Sequence, residues 1–221
     1  MALRGKKPVI VLDGPAGAGK SSVGKEVAKR LGLPFLDTGA IYRAITLIML
    51  RENITPMEPA RLKERLASFS IGFAGGKVTA CGEDVTAAIR TPEIDMEVSP
   101  YSAVCEVRSS ILGIQRQGMS EGLVAEGRDM GTVVFPDADL KIFLTASPET
   151  RARRRYEERL GRGETPDYEE ILELVNRRDA IDSGREIAPL VPACDAIYFD
   201  TTGFSFEEVV RGILEHTARL N

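Results

Sequence analysis

Eight residues near the amino terminus, Gly14-Pro15-Ala16-Gly17-Ala18-Gly19-Lys20-Ser21, satisfy the pattern G-x-x-x-x-G-K-[ST]. Such a segment holds polyphosphate. Its glycines let successive backbone N–H groups turn inward as a concave anion site, and a helix beginning within it adds partial positive charge. Lys20 then reaches the β- and γ-phosphates of a nucleoside triphosphate, and the Ser21 hydroxyl ligates Mg²⁺. Ser22, next in the chain, belongs to the same ATP-binding stretch. A base-reading N-K-x-D motif is absent, which argues against a guanine-nucleotide switch, and 221 residues are too few for a motor or helicase. A kinase of a small molecule remains.

Charge constrains the acceptor. A hydroxyl acceptor needs a carboxylate as general base, and Asp37, at the end of the apolar pair Phe35-Leu36, is the candidate. An acceptor that is itself a phosphate is already ionised, and the difficulty is then to bring two polyanions together. At 4 Å and an effective dielectric near 20, each like-charge pair costs about 4 kcal/mol. Several cations and a metal ion are then required, and no base. The basic residues favour this second case: there are 8 Lys and 21 Arg, and after position 80 Lys141 stands alone beside fifteen arginines. Guanidinium forks bind phosphate bidentately, although coding bias in a GC-rich genome produces the same excess. One histidine, His216, and three dispersed cysteines, Cys81, Cys105 and Cys194, argue against catalytic triads and multi-histidine metal sites. The cysteines read as small buried hydrophobes in a reducing compartment.

Three further segments carry candidate chemistry. Asp37-Thr38-Gly39-Ala40-Ile41-Tyr42-Arg43 lies where a second strand meets its helix. Gly127-Arg128-Asp129-Met130-Gly131-Thr132-Val133-Val134-Phe135-Pro136 follows a third apolar run, and Arg178-Asp179-Ala180-Ile181-Asp182-Ser183-Gly184-Arg185 ends a helical stretch. With the phosphate loop and the segment IAPLVPA (Ile187 to Ala193), this set resembles the bacterial-type cytidylate kinases from about Pro8 to the last helix.

The resemblance implies ATP-dependent phosphorylation of CMP and dCMP with Mg²⁺, and no nucleic-acid or membrane partner. It makes Lys20, Arg128 and Arg185 the catalytic set, with Arg185 reaching the transferring phosphates. Arg43 and Arg128 match residues on the acceptor's 5′-phosphate, with Thr38 nearby and Asp37 on the same side. Ser99, Arg108 and Asp129 match residues that read the cytosine edge. A carboxylate at Asp129 would accept from the cytosine amino group and oppose the uracil oxygen, and such opposition supports large discrimination. Arg178 and Asp182 match residues near the sugar hydroxyls. Arg151, Arg154 and Arg155 match a basic lid face that closes over ATP. With Glu157 and Glu158 four residues after Arg153 and Arg154, the same stretch also reads as a solvated helix with weak ion pairs. Asp13 reads as structural and Tyr42 as packing, while Glu126 is a candidate to orient Mg²⁺ through water.

The elements that must position these residues alternate. Buried strands are expected at Pro8–Leu12, Phe35–Asp37, Leu123–Ala125, Leu140–Leu144 and Ala196–Asp200. Helices are expected from Ser21 to Leu31, through Ile41 to Met49, from Ser102 to about Gln117, over 148–160 and 167–182, and from Ser205 to Leu220. Between Ser70 and Arg90, alternation with turn signals at Gly75-Gly76 and Gly82 predicts small antiparallel strands. The expected fold is α/β, a three-layer arrangement like that of P-loop nucleoside monophosphate kinases, with a five-stranded parallel sheet. It forms one domain over 1–221, with a monophosphate-binding insertion at 66–100 and a helical lid at 151–180. A net charge of −4 and a pI near 5.3 argue against a non-specific nucleic-acid binder. Apolar runs such as Leu47 to Leu50 fall far short of a membrane span, and no signal-like segment follows Met1. A cytoplasmic monomer is expected.

Overall fold

The structure is a computed structural model that describes residues 7–74, 76–117 and 121–220. The stretch after Met1 and the turn residue Gly75 lie outside the described residues. Two compact units are present, Met1–Leu36 with Arg116–Asn221, and Asp37–Gln115.

The chain begins with β1 (Val9–Asp13), in which all five residues are buried. A continuous apolar run of this kind suits a central parallel strand covered on both faces. After the glycine-rich loop comes α1 (Lys20–Leu31), which stops where Gly32, at φ 66°, supplies a left-handed cap. Next is β2 (Phe35–Asp37).

In the second unit Asp37 caps α2 (Thr38–Arg51), its carboxylate accepting the Ala40 N–H at 2.9 Å. Then come α3 (Pro59–Leu66), β3 (Ile71–Ala74), β4 (Lys77–Ala80) and β5 (Glu83–Asp84). These strands form the expected small antiparallel sheet, and Val78, Ala80, Val85 and Ile89 pack on Ala40, Ala44 and Ile48 of α2. The single helix expected from Ser102 to Gln117 is instead two, α4 (Pro92–Ala103) and α5 (Cys105–Gln115). Val104 breaks them. It is extended, at ψ 129°, as its branched side chain favours. Its carbonyl accepts the Arg108 N–H at 3.2 Å, starting the new helix. Tyr101 anchors the end of α4 by donating its hydroxyl to the Ile54 carbonyl at 2.7 Å.

The first unit resumes with β6 (Leu123–Glu126), β7 (Leu140–Thr145), α6 (Pro148–Gly161), α7 (Tyr168–Gly184), β8 (Ile197–Asp200) and α8 (Phe206–Thr217). The five strands order as β2-β6-β1-β7-β8. β1 pairs in parallel with β6 and β7, and β7 pairs in parallel with β8. One face of this sheet (Ile10, Leu12, Val124, Ile142, Leu144) is covered by Val23 and Val27 of α1 and by Val209, Val210 and Ile213 of α8. β6 and β7 flank β1 on opposite sides, so the chain's course reverses at the carboxyl end of β1, the place where such sheets bind ligands. Helices α6 and α7 pack on each other through Ala152, Ile171 and Val175, with Tyr156 and Tyr168 edge to face at 6.2 Å. No helix of the described residues is long and apolar enough to cross a membrane. The cysteines are free, but all three are exposed rather than buried, each lying at a turn or helix start outside the apolar clusters.

Candidate active site

The loop between β1 and α1 is shaped by contacts that exclude side chains. At Gly14, with φ 142°, an added Cβ would lie 1.9 Å from the Leu144 carbonyl oxygen, so only glycine fits. Gly19, at φ 94°, starts α1 and presents Lys20 as its first residue. Lys20 is buried and donates its ammonium to the Pro15 carbonyl at 2.7 Å. Burial pulls its pKa well below the ordinary value. Arg128 and Arg178 act in the same direction, and Glu126 and Asp13 oppose them. Ser21, half-buried, follows on the first turn, and Ser22 is exposed.

Two arginines of α6 brace this loop. Arg151, 3% exposed, does not lie on a solvent-facing basic surface. It donates to the Ala146 carbonyl at 2.9 Å and the Ala16 carbonyl at 3.2 Å, and it grips both oxygens of Asp179. Arg154 donates to the Ala18 carbonyl at 3.5 Å and to the Thr201 hydroxyl and carbonyl, each at 3.1 Å. Arg155 is half-buried beside them in sequence. Arg153 lies over the Tyr168 ring at 4.9 Å, while Glu158 pairs with Arg162.

The acceptor-side candidates of the first unit gather on one carboxylate. Asp182, 2% exposed, accepts from Arg128 Nε at 2.8 Å and lies 4.0 Å from Arg178 Nε. Burial by itself raises its pKa. The charges of Arg128 and Arg178, the hydrogen bond from Arg128 and the field of Arg185 outweigh that and hold the carboxyl below its ordinary value. Arg185 is itself buried. Asp129 is 1% exposed and opens a π-helical turn, Met130–Val134, that it does not cap with its own side chain. Asp13 takes that job, accepting the Met130 N–H at 2.8 Å and the Gly131 N–H at 2.7 Å. Burial raises the Asp13 pKa from 3.8 to about 6 against those two hydrogen bonds. Glu126, also buried, ends β6, and its charge acts on both Lys20 and Arg128.

In the second unit the junction of α4 and α5 brings Ser99 and Arg108 together. The Ser102 hydroxyl donates to the Ser99 carbonyl at 2.9 Å, and Arg108 donates to the Ser102 carbonyl at 3.1 Å. The Arg108 guanidinium lies over the Tyr42 ring at 5.5 Å. Ser99 is buried, and its hydroxyl has no hydrogen-bond partner among the described residues. Thr38 is buried at the start of α2, and Arg43 on the same helix pairs with Asp95.

The same sequence matches the family model for cytidylate kinase over residues 10–219. It is 50% identical over 208 residues to a cytidylate kinase of Caldanaerobacter subterraneus subsp. tengcongensis, covering 93% of this chain and 92% of that one. The chain belongs to the cytidylate kinase family. It is therefore a kinase with a P-loop α/β fold. A family member from Mycobacterium leprae is 46% identical, with 94% of each chain covered. In Synechococcus elongatus the matching protein is a bifunctional pantoate ligase/cytidylate kinase, 46% identical, of which this chain spans 42%. An uncharacterized protein from Eubacterium ventriosum shares the fold, with a TM-score of 0.50 at 12% identity over 95% of this chain and 98% of that one.

Within this member of the family, sequence reasoning passes over Asp179 and Thr201, which hold Arg151 and Arg154. Their roles arise from contacts 28 and 47 residues away in the chain and leave no local signal. Lys141 did leave one, as the lone lysine after position 80, but its partners, the Pro136 carbonyl and Asp195, come only from the fold.

Proposed function

We propose that the protein transfers the γ-phosphoryl group of ATP to CMP, and to dCMP, giving the diphosphate by in-line displacement. One observation carries the reading: Arg128, Arg178 and Arg185 converge on the buried Asp182, and the charges of two of them act on Lys20. A site that gathers cations around its phosphate loop is suited to an anionic acceptor, whose own oxygen needs no base.

The phosphate loop, residues 14–22, cradles the triphosphate, and Lys20 follows the charge that develops on the transferring group. Arg43 and Arg128 hold the acceptor phosphate, and Thr38 and Asp37 stand on the same side. Arg185 spans donor and acceptor phosphates. Arg178 and Asp182 bind the sugar hydroxyls. Ser99, Arg108 and Asp129 read the cytosine edge, and the unpartnered Ser99 hydroxyl is available for that purpose. Segment 151–180 acts as a lid that excludes water while Arg151, Arg154 and Arg155 support the triphosphate, and 66–100 serves as the monophosphate-binding insertion.

Oxygen donors at Ser21 and Glu126 suit Mg²⁺, which keeps several waters and binds chiefly through substrate phosphates. When bound it neutralises phosphate charge. The protein works as a monomer in the cytoplasm.

A coupled ADP-release assay with CMP, dCMP, UMP, AMP and GMP side by side tests this. Turnover is expected with the two cytidine acceptors well above the others. Activity confined to a non-phosphorylated metabolite would instead point to a hydroxyl acceptor with a carboxylate base.

A further inference from the structure

The Arg128–Asp129 pair sits on a turn whose seat is built by residues that touch no substrate in the reading above. An aspartate at the start of a helical turn ordinarily accepts the turn's first N–H groups with its own side chain. Asp129 does not, because Asp13 accepts both the Met130 and Gly131 N–H groups from the end of β1. The neighbouring strand β7 supports the same turn. The Lys141 stem lies under Gly131, where an added Cβ would meet its Cδ at 3.1 Å and its Cγ at 3.3 Å. The Lys141 ammonium donates to the Pro136 carbonyl, just past the turn, and pairs with Asp195 at 2.9 Å. Arg116 closes the third side by donating to the Val134 carbonyl at 2.9 Å and the Val133 carbonyl at 3.0 Å. Asp13 and Lys141 stand on paired parallel strands, on one face, with Val11 directly beside Lys141. The sheet register therefore fixes the distance between the two supports.

We infer that Asp13 and Lys141 are positioning residues for base selection: Asp13 takes the N–H groups of the turn that Asp129 does not cap, Lys141 supports Gly131 and the Pro136 carbonyl, and together they set where the Asp129 carboxylate discriminates cytosine from uracil. This rests on the assignment of Asp129 to the cytosine edge. Asp13→Asn turns one of the two accepting oxygens into a donor that faces an N–H group, and the turn then recruits Asp129 as its cap. Lys141→Met keeps the stem under Gly131 and removes only the ammonium.

The experiment measures kcat and KM for CMP and for UMP at saturating ATP, KM for ATP, and thermal midpoints, in Asp13→Asn, Lys141→Met, Asp129→Asn and the Asp13→Asn/Asp129→Asn pair. Each positioning variant is expected to lower the CMP-over-UMP ratio of kcat/KM by about tenfold, the size of one misdirected hydrogen bond. The change should come mainly through KM for CMP, while KM for ATP moves less than about twofold and the double variant adds little to Asp129→Asn alone. Lower thermal midpoints with an unchanged ratio in both positioning variants mean support of the fold alone and overturn the inference. If Asp13→Asn does not fold, Lys141→Met carries the decision. A ratio unchanged in Asp129→Asn overturns the reading of that residue instead, so the two failures are distinguishable.

Discussion

The phosphate loop is built from backbone shaped at Gly14, Gly17 and Gly19, three residues of positive φ within one short stretch of chain. The Asp182 cluster works through side-chain charge, with Arg128 drawn from a position 54 residues away. In the loop a steric clash decides which residue is tolerated, whereas in the cluster the balance between desolvation and attraction decides. The two regions should fail differently. Lys20→Ala, which removes charge without disturbing the glycine turns, is expected to cut turnover by about a thousandfold with little loss of stability, as for other single charge-stabilising donors. Steady-state kinetics with a thermal melt checks both halves. A large drop in melting temperature would mean that the buried lysine holds the loop together and would erase the contrast.

Arg128→Ala attacks the other region. It leaves Asp182 buried, with Arg178 at 4.0 Å as a weaker partner. Removing one partner of a buried pair costs about 3–5 kcal/mol, because the remaining charge is left uncompensated. The lower end is expected here, since Arg178 and Arg185 stay. Replacing both residues, as Arg128→Met with Asp182→Leu, should recover most of that stability while leaving turnover as low as in the single variant. Chemical denaturation of the single and double variants reads this out. Should the double variant be no more stable than the single one, the cluster's cost would lie in packing and not in charge.

Asp13 stands between the regions, and its titration separates them on an axis other than mutation. The groups whose charges face it are Lys20 from α1 and Asp129 and Arg128 from the turn. Its folded pKa of about 6 lies above the ordinary 3.8, so the proton is held more tightly in the folded state. The stability this contributes is fully present below 3.8 and is lost as pH rises through about 6. Relative to Asp13→Asn, the wild-type protein should therefore lose at most about 3 kcal/mol across that window. Paired denaturation curves at several pH values test the sign. A wild-type advantage that grows with pH would reverse it.

What could be read from the sequence divides along the same line. The loop was legible because strand, glycines and helix are contiguous and positive φ is a local property, although the Leu144 carbonyl that bars a side chain at Gly14 comes from the fold. The five strands and the small antiparallel sheet were legible for a similar reason, since hydrophobic periodicity is a local property. The break at Val104 was not. No glycine marks it, a lone branched residue such as Val104 is common inside helices, and the bond that anchors the end of α4, from Tyr101 to Ile54, spans 47 residues. Asp182 was placed only by family resemblance, and nothing in its neighbours reveals that Arg128 would share it. The cysteines were misread because a small apolar side chain carries no sign of which face it occupies.

Arg151 tests the comparison most finely, because it joins the two modes in one side chain. Its guanidinium is paired with Asp179 on α7, yet it also donates to the carbonyl of Ala16 within the phosphate loop. A lysine there would keep the charge and lose the fork, since one ammonium cannot span two carbonyls and both carboxylate oxygens. If the loop depends on geometry, Arg151→Lys should raise KM for ATP by about three- to tenfold with kcat changed less than twofold, the cost of about one neutral hydrogen bond. Arg154→Lys should do less, because Arg154 reaches Ala18 only at 3.5 Å and is mainly held by Thr201. No change in KM from either substitution would mean that net positive charge on α6, which both keep, and not the shape it imposes on the loop, is what the triphosphate requires.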